Sequence, residues 1–458
     1  MNVTREIKRE IFREYDIRGV YPTDINQDVS YTIGRAYGSY IKKRNQKKCI
    51  VGRDNRYSSE EIENALIQGI ISTGISVLDL GLVTTPMYYY ACIKSGVPAG
   101  IMVTASHNPK DDNGFKFSFD EKGNAKGEEI QDFYEFVMLG KFEDGEGVIG
   151  FYDIKEEYCR YLLSAVQIHD DRKLKVIIDC GNGTTTFFAP TVYNAIKQKL
   201  VVLYGKSDPT FPNHHPDPCV EANLQVLKDA VVELHADVGI AFDGDGDRVG
   251  IINEKGEHIP ADQLMILLAR DILPNSSNKR VLYDVKCTKA LPEEIESLGG
   301  EAIISRTGNS YTKAATKDND CILGGEYSGH IFLRDKFLGF DSGLYVGLRV
   351  IEILSKTDKT LSQLLEGIPK YYSTEEIKIA SPDNKKKQVI EEIKKYCKEA
   401  GYPMIDIDGI RIELEDGWAL IRCSNTGPNI TARFEGQTEE VRDRLKDYFL
   451  ALIDNFNV

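Results

Sequence analysis

No run of about 18 apolar residues occurs in the chain, so no membrane-spanning helix is expected. The first residues, MNVTREIKREIFREYDIRG, carry charge throughout and hold no apolar core, so no secretory signal is expected there. A basic excess is also missing. Lys and Arg number 57 against 71 Asp and Glu, a net charge of −14, which argues against nonspecific binding to nucleic acid or to a membrane surface. A local basic pocket for an anionic small molecule is still allowed. Cysteine pairs are lacking too: nine cysteines stand singly and none falls in a C-x-x-C pair. An odd count without a secretory signal points to a reduced, cytoplasmic protein with no zinc site. The four N-x-[ST] sequons, at Asn2, Asn182, Asn275 and Asn429, are then chance occurrences.

What is present is an ordinary globular composition. The chain has 458 residues, 41% of them hydrophobic, and no low-complexity tract. That length suits three or four domains at ~150 residues each. Apolar strands alternate with amphipathic helices, the pattern of a mostly parallel, buried sheet. KKCIVGR (47–53) reads as a strand and SSEEIENALIQGIISTG (58–74) as the helix after it. Ser58 or Ser59 is expected to cap that helix, with Ile62, Ala65, Leu66 and Ile70 on its apolar face. Three segments are faintly alike: IVGRDNR (50–56), VIIDCGNGT (176–184) and VLYDVKCTK (281–289). Each is an apolar strand, an Asp, then small or polar turn residues. We read three similar α/β units, with boundaries near 150, 255 and 368. The remainder reads as helix, meander, helix, an α+β arrangement closed by a helix that Thr438 caps. The expected domains are therefore 1–150, 151–255, 256–368 and 369–458.

The most distinctive chemistry lies in AFDGDGDRVG (241–250). Asp243, Asp245 and Asp247 alternate with glycines, which let the backbone curl so that three carboxylates converge. Each like pair at 4 Å costs about 4 kcal/mol at an effective dielectric of 20. A cation must answer that repulsion unless the turn is simply solvated, and oxygen-only ligands favour magnesium or calcium. An EF-hand is excluded, because Arg248 replaces its turn glycine and a strand precedes the loop. Too few ligands remain for a calcium cage, so magnesium fits better.

Three other segments stand out. GIMVTASHNPKDDNGFK (100–116) places Ser106 on a loop at a strand's end, where α/β sheets bind ligands, with His107 and Lys116 nearby in sequence. Read alone, Ser106 is more often a turn-former than a nucleophile. GGEYSGH (324–330) offers Glu326, Ser328 and His330, a set able to grip a polyol or only a polar turn. RCSNTGPN (422–429) offers Arg422, Ser424, Asn425 and Thr426, suited to a phosphate or to a plain hairpin turn. Two further matches fail. Gly205-Lys206-Ser207 is similar to a P-loop ending but has Leu200 where the first glycine belongs, and Gly181-Asn182-Gly183 has Thr186 in place of a third fingerprint glycine.

Together these segments resemble the α-D-phosphohexomutase superfamily, closest to its bacterial and archaeal phosphomannomutase/phosphoglucomutase group. FREYDIRG (12–19), GRDNRYSS (52–59), TTP (84–86), VTASHNP (103–109), FPNHHPDP (211–218), DGDGDR (243–248), GEYSGH (325–330) and RCSNTGP (422–428) follow the family's order over nearly the whole chain. The resemblance implies three related α/β mixed-sheet domains and a C-terminal α+β lid around a central cleft. It implies a magnesium isomerase that interconverts hexose 1- and 6-phosphates through a phosphoserine at Ser106 and a bound hexose 1,6-bisphosphate. Ser106, Asp243, Asp245 and Asp247 would hold the metal. Lys116 and His330 match proton-transfer positions, and Arg248 a cleft arginine. Tyr15, Arg18 and Lys286 match residues that line the site, Glu326 and Ser328 bind sugar hydroxyls, and Arg422, Ser424, Asn425 and Thr426 hold the idle phosphate. A small phosphosugar is the only partner implied, and a monomer is favoured. Tyr327, Asn309 and Gly427 depart from the usual residues. Asn425 argues against a glucosamine-type loop, so mannose and glucose phosphates lead. A phosphoglucosamine mutase, a Ser106-dependent metal phosphatase and a non-catalytic sugar-phosphate binder are the rival readings.

Overall fold

The structure, a computed structural model, describes residues 1–424 and 427–457, apart from the side chain of Asp383. Asn425 and Thr426 of the expected phosphate loop lie outside the described residues. The chain forms two compact units. One comprises Met1–Pro260 with Ser328–Leu364, the other Ala261–Tyr327 with Leu365–Val458.

The first sheet is built from β1 (Ile17–Val20), β2 (Lys48–Arg53), β3 (Ser76–Leu82), β4 (Gly100–Val103), β5 (Asp112–Ser118) and β6 (Ile149–Phe151). Its order is β1-β5-β4-β2-β3-β6. β2 runs parallel to β3 and β4, while β5 turns back antiparallel on β4. The helices are α1 (Gln27–Lys42), α2 (Ser59–Ile71), α3 (Thr85–Ser95) and α4 (Glu128–Leu139). Ile62, Ala65, Leu66 and Ile70 form the buried face of α2, as the periodicity predicts. The expected serine cap is not made. Ser59 Oγ donates to Asp54 Oδ1 at 2.5 Å instead, and Ser58 Oγ accepts from Asn113. A buried carboxylate needs donors more than a helix end with exposed glutamates does, so Asp54 takes the hydroxyl. Thr84 does cap α3, with Pro86 in the first turn, where a missing N–H costs nothing.

The second sheet follows α5 (Lys155–Ser164). It uses β7 (Lys175–Asp179), α6 (Ala189–Ala195), β8 (Lys199–Leu203), α7 (Gln225–Glu233), β9 (Val238–Phe242), β10 (Val249–Asn253) and β11 (His258–Ile259), in the strand order β11-β10-β9-β7-β8. In the second unit, α8 (Ala261–Ile272) leads to β12 (Arg280–Asp284), α9 (Ala290–Ser297), β13 (Glu301–Ser305), α10 (Asn309–Asp318) and β14 (Leu323–Gly325). β12 lies parallel to both β13 and β14. β2, β7 and β12 therefore occupy one topological place, each flanked by two parallel strands. These are the three segments that looked alike in sequence, and Asp54, Asp179 and Asp284 are buried at their ends.

β15 (Ile331–Leu333), α11 (Gly343–Ser355) and α12 (Leu361–Leu364) belong to the first unit. Every residue of α11 is buried: its sequence is mostly apolar, and its two charged residues, Arg349 and Glu352, pair with each other at 3.0 Å. The last sheet is antiparallel: β16 (Tyr372–Ser373), β17 (Ile377–Ala380), β18 (Met404–Ile405), β19 (Ile410–Glu413), β20 (Gly417–Cys423) and β21 (Asn429–Gly436). α13 (Asp383–Glu399) and α14 (Glu439–Phe456) share its apolar core, giving the expected α+β layer. Thr438 caps α14 as read from sequence. Among the described residues no helix is long and apolar enough to cross a membrane.

α1 and α2 touch backbone to backbone through two glycines. A Cβ on Gly34 would lie 2.2 Å from Leu66 O, and one on Gly69 2.2 Å from Tyr31 O. The Gly69→Ala variant must push the helices apart, and overpacking of this kind costs roughly 1–3 kcal/mol. A correspondingly lower denaturation midpoint is expected, and an unchanged one would show that the crossing yields freely.

Candidate active site

The first unit collects most of the residues singled out above. β4 ends in Val103, and three residues later Ser106 adopts a left-handed backbone, φ +50. A non-glycine residue holds that conformation only when its surroundings insist on it. Ser106 N donates to Thr104 Oγ1 at 2.9 Å. Its Oγ donates to Asp243 Oδ2 at 2.8 Å and stands 3.3 Å from His107 Nδ1. The approach is close: a Cβ on Gly244 would come within 2.5 Å of Ser106 O. Gly246, at φ +78, completes the curl between β9 and β10.

The three aspartates are fully buried, with one oxygen of each within 4.8 Å of the others. Asp243 Oδ1 accepts from the N–H groups of Gly246 and Arg248. Asp245 Oδ2 accepts from Thr85 Oγ1 at 2.6 Å, Thr104 Oγ1 at 3.2 Å and Lys116 Nζ at 2.9 Å. Asp247 Oδ2 accepts from Lys116 Nζ at 2.5 Å. Burial, then Asp247 and Asp245, push the Asp243 carboxyl well above the usual range. Burial acts to raise both Asp245 and Asp247, but Lys116 with Thr85 at Asp245, and Lys116 with His330 and Arg248 at Asp247, together hold both below their ordinary values. Burial opposes the charge on Lys116, yet Asp245 and Asp247 hold its pKa well above normal. Among the described residues, Asp245 Oδ1 and Asp247 Oδ1 are buried without a hydrogen-bond donor. Two orphaned carboxylate oxygens beside a third carboxylate fit a hard divalent cation, since such ions take oxygen ligands.

His330 joins this cluster from the other segment of the same unit. Its Nδ1 lies 2.8 Å from Asp341 Oδ2 and 3.7 Å from Asp247 Oδ1. Arg248 Nε donates to His330 Nε2 at 3.0 Å. An arginine can only donate, so Nε2 carries the lone pair and Nδ1 the proton given to Asp341. Arg18 pairs with Asp16 at 2.8 Å, and Asp245 and Tyr15 both favour its charge. Arg18 Nη1 is buried without an acceptor. Burial, then Arg248 and Arg18, hold His107 well below its ordinary pKa. Ser328 is placed in this unit as well, its carbonyl accepting from Cys219 Sγ.

The second unit gathers the other charged residues. Arg422 on β20 is buried and pairs with Asp408, Nε to Oδ2 at 2.9 Å and Nη2 to Oδ1 at 3.4 Å. Buried Lys286 has its Nζ 3.8 Å from Glu376 Oε1 and 4.0 Å from Asp284 Oδ2. Burial alone would raise Glu376, but Lys286, Arg422 and Arg433 hold it below normal. Glu326 Oε1 accepts from Gly308 N and Thr312 Oγ1, both at 2.6 Å, so this carboxylate also pins the turn before α10. Tyr327 lies under the guanidinium of Arg433, 3.6 Å from ring to charge. Ser424 keeps its backbone hydrogen bond to Asn429, and Lys386 Nζ donates to its carbonyl.

Sequence reasoning assigned no role to Thr85, Thr104, Asp341, Asp408 or Glu376. Thr85 stood in the TTP segment, which was quoted without a function. Thr104 stood in the VTASHNP segment, also without a function, while Asp341, Asp408 and Glu376 had no local signal, because each meets its partner through the fold.

Lys116 is the cation now facing the triplet. Breaking a buried pair by removing one partner costs about 3–5 kcal/mol. In excess chelator, Lys116→Met is therefore expected to be markedly less stable than wild type. Magnesium should raise the variant's melting temperature more than wild type's, by mass action on an unanswered anion cluster. Equal magnesium responses would mean that the triplet does not take the ion.

Family models for phosphoglucomutase/phosphomannomutase match the chain in sequence: alpha/beta/alpha domain I over residues 9–140, domain II over 156–256, domain III over 260–372 and the C-terminal domain over 376–452. A phosphomannomutase/phosphoglucomutase of Pseudomonas syringae pv. tomato is 40% identical over 96% of this chain and 94% of its own. A phosphoglucomutase of Neisseria meningitidis is 39% identical over 98% of both. The solved structure of a Burkholderia thailandensis phosphoglucomutase/phosphomannomutase family protein superposes with a TM-score of 0.90, at 36% identity over 98% of both chains. With matches along its full length to all four domain families, the chain belongs to the phosphoglucomutase/phosphomannomutase family of the α-D-phosphohexomutase superfamily and is a hexose-phosphate mutase, an isomerase.

Proposed function

We propose that the protein interconverts hexose 1-phosphate and hexose 6-phosphate, with mannose and glucose phosphates as substrates, through a phosphoserine at Ser106. The observation that carries this reading is the 2.8 Å hydrogen bond from Ser106 Oγ to Asp243, which sets a hydroxyl at the rim of a buried three-carboxylate site. A hexose 1,6-bisphosphate forms when the phosphoryl group leaves Ser106. Its other phosphate then returns to Ser106, and the isomer departs.

The atoms balance as follows. The substrate hydroxyl oxygen forms a bond to the phosphoserine phosphorus while the bond from phosphorus to Ser106 Oγ breaks. The hydroxyl proton goes to a base, and Oγ takes up a proton. His330 is the base in this reading, since Asp341 holds the Nδ1 proton and leaves the lone pair on Nε2. Lys116, kept strongly cationic by Asp245 and Asp247, serves as donor and charge stabiliser. Arg18, with a buried and unaccepted Nη1, and Arg248 supply charge for the transferring phosphate. Magnesium bound by Asp243, Asp245, Asp247 and the Ser106 phosphate would neutralise the charge that phosphoryl transfer concentrates there.

In the second unit, Arg422 and Lys286 are proposed to hold the phosphate that is not reacting, with Ser424, Asn425 and Thr426. Glu326 and Ser328 would take sugar hydroxyls, and Tyr15 would line the site. Residue type supports these roles: buried guanidinium and ammonium groups flanked by carboxylates are charged anchors for an anion.

Assaying mannose, glucose and glucosamine 1-phosphates side by side, with a catalytic bisphosphate and inorganic-phosphate detection, tests this reading. Isomer should form from the first two with little free phosphate. Stoichiometric phosphate release would support the phosphatase reading instead, and preference for the glucosamine ester the phosphoglucosamine one. Ser106→Ala should lose label from bisphosphorylated sugar and about 10⁴-fold or more in kcat. Arg422→Ala should weaken substrate binding by about 1.5–3 kcal/mol, the range for a charged hydrogen bond. Unchanged steady-state constants in that variant would move the idle phosphate elsewhere.

A further inference from the structure

Arg56 lies in the GRDNRYSS segment, which no step above uses. Its side chain is almost wholly buried. Nη2 donates to Ser106 O at 2.8 Å and Asn108 O at 2.7 Å. Nη1 donates to Pro109 O at 2.5 Å and Asp112 O at 3.0 Å. Nε faces Asp54 Oδ2 at 3.3 Å, and the Phe211 ring, from the equally unassigned FPNHHPDP segment, lies 5.5 Å from the guanidinium carbon. Asp54 is itself fixed by Ser59 and by the Arg56 N–H.

One planar fork thus satisfies four main-chain carbonyls of a single seven-residue loop. The carbonyl of Ser106 is among them, and Ser106 is the loop residue held at φ +50. A left-handed serine persists only where the surroundings over-determine it. Arg56 supplies that determination at the residue's own carbonyl, while Thr104 holds its N–H. Lysine offers a single point charge on a flexible stem and cannot span the four acceptors.

We infer that Arg56 is a positioning residue: it clamps the 106–112 loop so that the Ser106 hydroxyl faces Asp243 and the transferring phosphate in line. This rests on the phosphoserine reading above. The role differs from that of a general core residue, because all four hydrogen bonds of the guanidinium go to the loop, with Asp54 as its anchor.

Arg56→Lys and Arg56→Ala would be compared with wild type after labelling from a bisphosphorylated sugar, with site assignment by mass spectrometry. The label is expected on Ser106 in all three. Single-turnover transfer to hexose phosphate should slow ~100-fold in both variants, as for a catalytic group displaced by about 1 Å. KM should stay within a few fold. Added guanidinium ion should restore part of the rate to Arg56→Ala, while urea and sodium chloride at the same concentration should not. Wild-type transfer rates in folded Arg56→Lys would overturn the clamp. So would a slowed Arg56→Ala whose loss follows its melting temperature alone and ignores guanidinium. If wild type carries no label on Ser106, the phosphoserine reading falls, and the clamp with it.

Discussion

Three buried carboxylates within five residues are the costliest feature of this protein, and much of the first unit answers them. At an effective dielectric of 20, like charges 4 Å apart repel by about 4 kcal/mol per pair. The fold meets that repulsion with parts from distant places. Lys116 on β5 bridges Asp245 and Asp247. Thr85 at the start of α3 and Thr104 after β4 donate to Asp245. The backbone of the loop itself donates to Asp243. Among the described residues two oxygens are still left without donors, a remainder that fits a divalent cation.

The same loop sets the approach of Ser106. Gly244 must lack a side chain because the Ser106 carbonyl occupies the space. Gly343, at the start of α11, must lack one because the Arg248 carbonyl does. Both glycines let separate segments approach closely, and the one at 244 lets a hydroxyl and a carboxylate 137 residues apart reach hydrogen-bond distance. Backbone strain at Ser106 is held in place by an acceptor for its N–H, Thr104 Oγ1, and a donor to its carbonyl, Arg56 Nη2.

In the second unit charge is distributed differently. Lys286, Arg422 and Arg433 are interleaved with Asp284, Glu376 and Asp408. Each cation is neutralised by a neighbour it does not fully saturate, which keeps guanidinium and ammonium groups buried and charged. Tyr327 gives Arg433 an aromatic face in addition to the nearby carboxylates of Asp262 and Glu435.

Much of this was readable in advance where the signal was local. The Asp-Gly alternation, the apolar strands before each Asp and the Thr438 cap all lie within a few residues of one another, so composition and period reveal them. The Ser58/Ser59 cap was misread for the same reason. The sequence shows a helix end needing an acceptor but not the buried Asp54 that competes for the hydroxyl. Asp341 and Asp408 gave no signal, and Arg56, though part of the GRDNRYSS segment, gave none for its role, since their partners stand 11, 14 and about 50 residues away.

The amino-acid order by itself determined the three repeated α/β units, the α+β ending, the acidic loop and, through the succession of motifs, the family. Those properties follow from short-range periodicity and from residue types that must be neighbours in the chain. Only the tertiary structure decided which lysine balances the aspartates, which nitrogen of His330 holds the proton and which arginine grips the serine loop. Such pairings depend on distances between separately folded segments, and burial makes them decisive, because an unpaired charge or carbonyl away from water costs more than the chain can spare.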